Sequence, residues 1–143
     1  MKKTLAAMAA LALIFVCVFS LASCFNTVDA EGLWENATYR RDVTLGKGEK
    51  TIYLTVKAGE DSVTFTVKTD KDNLADALTE HSIISGEQSE FGLTVYTVNG
   101  MTADFRTENV YWALYEGDSK APYGVSSTEI ADGDSFSFVY SAF

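Results

Sequence analysis

The chain predicts an α+β fold, a mixed β-sheet with one short helix packed across it. Three observations carry this reading. Ile52, Leu54 and Val56 alternate with polar residues, as do Val63, Phe65 and Val67; a period of two gives a strand one buried and one wet face. Leu74, Ala77 and Leu78 fall at i, i+3 and i+4, the spacing of one helix face. Two more alternating runs, Phe91 to Val98 and Ser135 to Tyr140, come after the helix.

The N-terminus precedes this domain and has its own chemistry. Lys2 and Lys3 are followed by an uncharged, apolar run from Leu5 to Leu21, then Leu21-Ala22-Ser23-Cys24. A basic start, an apolar stretch and small residues at its end make a secretory signal. The four residues ending at Cys24 resemble the lipobox of bacterial lipoproteins. That resemblance implies cleavage after residue 23, lipidation of Cys24 and an extracytoplasmic, membrane-anchored product. Residues 1–23 are thus read as signal peptide, 24–43 as a tether on which Trp34 and Tyr39 can dock, and 44–143 as the domain.

Removing the signal leaves 120 residues with 9 basic against 20 acidic side chains, a net charge near −11. That length suffices for one domain with a real core. So acidic a body is unsuited to nucleic acid or to anionic lipid, leaving the acyl chains to hold the membrane. Cys17 falls in the signal and Cys24 carries the lipid, so the mature domain has no disulfide and no thiol nucleophile.

Within the domain, Ala58-Gly59-Glu60-Asp61 has turn composition and joins the first two alternating runs into a hairpin. Asn73 is placed as N-cap of the helix, with Asp76 three residues on, facing the free amides of the first turn. His81 then meets carbonyls at the helix end. Asn99-Gly100 closes the Phe91–Val98 run, Val110 to Tyr115 is an aromatic-rich strand, and Asp132-Gly133-Asp134 turns into the last strand. The β-grasp arrangement is the simplest known fold with this order of hairpin, helix and strands.

Few residues suit catalysis. The single histidine, His81, has no cysteine or second histidine with which to hold zinc. Leu45-Gly46-Lys47-Gly48 lacks the strand–loop–helix context of a phosphate loop. The chain is therefore read as a non-enzyme. Glu129, Asp132 and Asp134 could offer oxygens to calcium, with Asp104 or Glu108 as further ligands; the competing reading of Asp132-Gly133-Asp134 is a hairpin turn, which is favoured.

Tyr111, Trp112, Tyr115 and Tyr123 crowd a short segment that also holds Gly117, Gly124 and the only proline, Pro122. On a strand, Tyr111 and Tyr115 share one face, Trp112 and Leu114 the other. One face must serve the core. The other either exposes rings to a flat ligand or a protein hot spot, or is covered by the Trp34 segment.

The ordered set Asn73–Leu78, Phe91-Gly92, Val98-Asn99-Gly100, Tyr111–Tyr115, Gly124-Val125 and Ile130–Asp134 resembles the bacterial transcobalamin-like C-terminal domain family, over roughly Thr44 to Phe143. The resemblance implies a soluble-ligand-binding β-grasp fold. It carries Tyr111, Trp112, Leu114, Gly124 and Val125 over as ligand-contacting positions and implies a corrinoid as ligand. The vitamin-binding relatives add a large helical domain for which this chain has no room. The expected function is a binding module for a small molecule or a cell-surface protein, with Tyr115 and Tyr123 beside the five carried-over positions; calcium binding by the acidic turn is the alternative. In cells fed radiolabelled palmitate, Cys24→Ala is expected to abolish labelling of the protein and release it from the membrane fraction.

Overall fold

The computed structural model describes residues 26–143; the signal segment and Cys24 lie outside the described residues. The chain is mostly β, built as a mixed six-stranded sheet, a small three-stranded sheet and one short helix. The large sheet centres on the expected hairpin, β2 (Lys50–Ala58) and β3 (Asp61–Thr69), turning through Gly59 at φ 67°. β1 (Val43–Gly46) runs parallel to β3 on one side. On the other, β2 pairs in parallel with β9 (Ser135–Ala142), which pairs antiparallel with β7 (Val110–Glu116). The two-residue β8 (Ser119–Lys120) closes the order β1-β3-β2-β9-β7-β8.

The alternation places the core as expected. Ile52, Leu54, Val56, Val63, Phe65 and Val67 are buried, and Phe136 and Phe138 continue the same face on β9. Helix α1 (Leu74–Thr79) buries Leu74 and Leu78. Asn73 caps it: its Oδ1 accepts from the Asp76 amide at 2.9 Å, and its Nδ2 donates to the Asp76 carboxylate at 2.9 Å. Six residues are too few to stand alone as a helix, so burial of this face supplies the stability.

The second sheet departs from the single sheet expected. β4 (Ile84–Ser89), β5 (Gly92–Val98) and β6 (Met101–Thr102) pair antiparallel in sequence order. β4 has no alternation to read, because all its residues after Ile84 are solvent-exposed. The turn from β5 to β6 is the expected Asn99-Gly100, with φ of 52° and 80°, the left-handed pair that a tight hairpin needs.

Residues 26–43 also differ from expectation: they are part of the packed domain. Val28 and Trp34 are buried, and the Trp34 indole N–H donates to the Ala58 carbonyl at 3.1 Å. Tyr39 meets Phe65 edge-on at 5.6 Å. Asn99, itself buried, clamps the segment with its side chain. Its Oδ1 accepts from the Tyr39 amide at 2.9 Å, and its Nδ2 donates to the Tyr39 carbonyl at 2.7 Å. At Gly100 any Cβ would collide with the Asn36 carbonyl, so the turn docks closely on this segment. Docking of Trp34 and Tyr39 was readable from the residues; the burial of Val28 and the clamp by Asn99 were not, because the scattered apolar side chains of this segment make no period.

His81 also lies elsewhere than expected. It follows the helix end but bonds no carbonyl; its Nε2 is buried and has no hydrogen-bond partner among the described residues. The side chain packs against Gly46, where a Cβ would crowd the imidazole. The packed N-terminal segment is open to test. Trp34→Ala should destabilise the domain by about 3–5 kcal/mol, the cost of deleting a buried large ring, and Trp34→Phe by about 1–2 kcal/mol through the lost hydrogen bond. Urea unfolding measures both, whereas a loose tether would give no change.

Candidate functional site

Two strands from different sheets approach each other without pairing, and a cleft of about 290 Å³ lies between them. From β5 come Leu93, Thr94 and Val95; from β7 come Tyr111, Trp112 and Leu114. Gly124 and Val125, at the start of a short 3-10 turn (Val125–Ser127), line it further. Phe138 of β9 is buried at its base, and Phe105 and Phe143 stand at its rim.

The location follows from strand pairing. β8 pairs only with Tyr115 and Glu116, so among the described residues the first half of β7 has no strand neighbour on that side. A free strand edge is normally covered. Here the covering comes from apolar side chains of β5 and the 124–125 loop, which leave a crevice. Because the cleft lies at the edge, residues from both faces of β7 reach it, Tyr111 as well as Trp112 and Leu114.

Trp112 is 6 % exposed. Its indole N–H donates to the Met101 carbonyl at 3.1 Å, and its ring meets Tyr140 edge-on at 5.4 Å. The Ser126 hydroxyl accepts from the Leu93 amide at 3.0 Å and so fixes the 3-10 turn against β5. Along the rim runs a line of rings. Tyr96 lies 5.8 Å from Phe105, Phe105 is 6.5 Å from Phe143, and Phe143 stacks on Tyr111 at 4.5 Å. Phe143 is 75 % exposed and Phe105 47 %.

The lining carries no side chain that ionises near neutral pH. Its only hydroxyls are those of Thr94 and Tyr111, and the Trp112 N–H is already engaged. Such a cleft can bind an apolar surface.

All five positions carried over by resemblance, Tyr111, Trp112, Leu114, Gly124 and Val125, are thus brought together. Tyr115 and Tyr123 are not among the lining residues. Tyr115 is half-buried beside Ser137 and Lys120, and Tyr123 is 67 % exposed outside the cleft. The sequence reading missed Leu93, Thr94, Val95, Phe105, Phe138 and Phe143. The first three sit on a strand that was legible, but no local signal tells which strand will face β7. Phe105 was a readable hint, a lone ring in the polar run Asp104–Glu108.

The acidic residues are engaged within the fold or stand apart from one another. The Asp132 carboxylate accepts from the Thr51 amide at 2.7 Å, and that of Asp134 from the Ala131 amide at 2.8 Å, so both hold the turn. Glu129 is exposed and bridges Asn73 through its backbone. Asp104 pairs with Arg106 at 2.9 Å; hydrogen bonds from the Arg106 side chain and amide hold its carboxyl below the usual range. Glu108 is exposed. Among the described residues no three His, Cys, Asp or Glu side chains are grouped to hold a metal.

No known protein-family model matches the chain, and no curated protein matches it. Solved structures do. A protein from Ruminococcus gnavus ATCC 29149, provisionally described as metal binding, superposes with a TM-score of 0.63 at 29 % identity, over 66 % of this chain and 99 % of its own. Haptocorrin in complex with Cbi superposes with a TM-score of 0.53 at 16 % identity, over 66 % of this chain. The chain spans about a quarter of haptocorrin's length, 25 %, and shares the fold of that part. Because Asp132 serves the turn, Asp132→Ala should lower the melting temperature by a few degrees, equally in excess calcium and in chelator. A larger loss in calcium would point to a bound ion.

Proposed function

We propose that the chain is a non-catalytic, lipid-anchored binding module of the extracytoplasmic surface, with its ligand seated in the cleft between β5 and β7. The observation that carries this is the convergence of Tyr111, Trp112, Leu114, Gly124 and Val125 on one apolar crevice. Apolar lining with a few polar groups is the usual make-up of small-molecule sites. The exposed rings of Phe105 and Phe143 at the mouth add surface that gains by being covered. The fold shared with part of haptocorrin supports a ligand-holding role, and a corrinoid is one ligand to try. At about 290 Å³, the cleft would grip one edge of so large a molecule rather than enclose it.

A second reading, a divalent-ion site at the acidic turn, draws on the likeness to the Ruminococcus gnavus protein. The engagement of Asp132 and Asp134 with backbone amides puts it behind the first.

The test is a thermal-shift screen with corrinoids, haem and uncharged aromatic dyes, in parallel with calcium. A ligand of the folded state raises the melting temperature by mass action. Leu114→Glu, which sets a charge in the crevice at a half-buried position, should weaken any such ligand at least tenfold while leaving cooperative unfolding intact. Absence of any shift, or a shift indifferent to Leu114→Glu, would refute the cleft as the site.

A further inference from the structure

We infer that the ligand of this cleft is an amphipathic anion, with a flat apolar body against the Tyr111–Phe143 pair and a carboxylate, sulfonate or phosphate group at Lys120. The inference rests on the cleft being a ligand site and adds the chemical class of what it takes.

Two cations flank the line of rings, and they differ in what they are bound to. Arg106 lies over Tyr96, 4.3 Å from its ring centre. It is saturated by carboxylates, with Asp104 at 2.9 Å and Glu87 at 3.1 Å. Lys120 is the other. Its Nζ donates to the Tyr111 hydroxyl at 3.2 Å and lies 5.5 Å from that ring's centre. Among the described residues no carboxylate stands within ion-pairing distance of it. What sets Lys120 apart from the other lysines is its place: its ammonium is held by a side chain that lines the apolar cleft.

The geometry gives that charge a use. An ammonium has three N–H donors, and the Tyr111 hydroxyl takes one, leaving two for a ligand. A lysine ammonium is charged across the physiological range, and the same hydrogen bond raises its pKa further. Holding a long side chain in place beforehand lowers the ordering cost of binding. Tyr111 carries both halves of the proposed site, stacking on Phe143 through its ring at 4.5 Å and holding Lys120 through its hydroxyl. The cleft is at the small end of ligand pockets, which run from about 300 Å³ upward, so the polar end of a ligand must project past the rim. Lys120 stands beside that rim. Without it, the acidic surface would repel such a ligand.

The experiment compares two probes with the same rings, 1-anilinonaphthalene-8-sulfonate and uncharged N-phenyl-1-naphthylamine, by fluorescence titration of the folded domain. The sulfonate should bind about tenfold more tightly, and its affinity should fall with added salt. Lys120→Gln should weaken the sulfonate about tenfold and leave the neutral probe within twofold; Lys120→Arg should restore most of the difference. The melting temperature should not change in either variant. If Lys120→Gln leaves sulfonate binding unchanged while Leu114→Glu abolishes both probes, the anion inference falls and the cleft reading stands. If neither probe binds, or Leu114→Glu affects neither, both fall together.

Discussion

One hydrogen bond bridges the two sheets beside the cleft between them: the indole N–H of Trp112 donating to the carbonyl of Met101 at 3.1 Å. A buried donor is costly unless it is met, so Trp112 has one favourable position, facing β6. Met101 is the first residue of that strand, directly after the Asn99-Gly100 turn. Asn99 in turn grips Tyr39 through both of its amide atoms. A chain of contacts therefore runs from the edge of the large sheet, through the small sheet, to the N-terminal segment. Removing the indole would loosen both the base of the cleft and the register between the sheets.

The parts of this fold that were legible are those where one residue type repeats with one period. Ile52, Leu54, Val56 and their partners on β3 announced both strands and the buried face. Asn73 and Asp76 announced a helix start because capping is local chemistry. What could not be read depends on neighbours distant in sequence. β4 is exposed along nearly its whole length and so gives no alternation. Val28 is buried and Asn99 grips Tyr39, and neither contact is written in residues 26–43 themselves. Nearly half of the cleft was named beforehand: Tyr111, Trp112 and Gly124 stand in the ring- and glycine-rich stretch after residue 110, and the family resemblance singled them out together with Leu114 and Val125; Leu93, Val95 and Phe138 join it through sheet geometry alone. The Asp132-Gly133-Asp134 segment had two readings, ion site or turn, and the amides of Thr51 and Ala131 are what the carboxylates meet.

The cleft also shows how a small domain can place a binding surface without opening its core. Phe65 and the rest of the main core remain sealed. The crevice is instead a gap in the cover of a strand edge, since β8 is only two residues long. Lengthening β8 would pair the first half of β7 and fill the gap. Ligand preference can then vary through the loops that line the gap while the hairpin and helix stay constant. Such division between scaffold and site is why proteins of one fold hold different ligands.

The docking of the N-terminal segment bears on where this domain can go. The Asn26 side-chain amide donates to the Ser62 carbonyl at 2.7 Å, and Thr27 bridges Arg41. On the lipid-anchored reading, only Phe25 separates that docked residue from acylated Cys24. Two residue steps span at most about 7 Å. The body could not sweep through the envelope on a long leash; it would ride at headgroup height, within roughly one Debye length of the lipid charges. Its acidic exterior would there be pushed away from anionic lipid, and that push would bias which side of the molecule is turned outward.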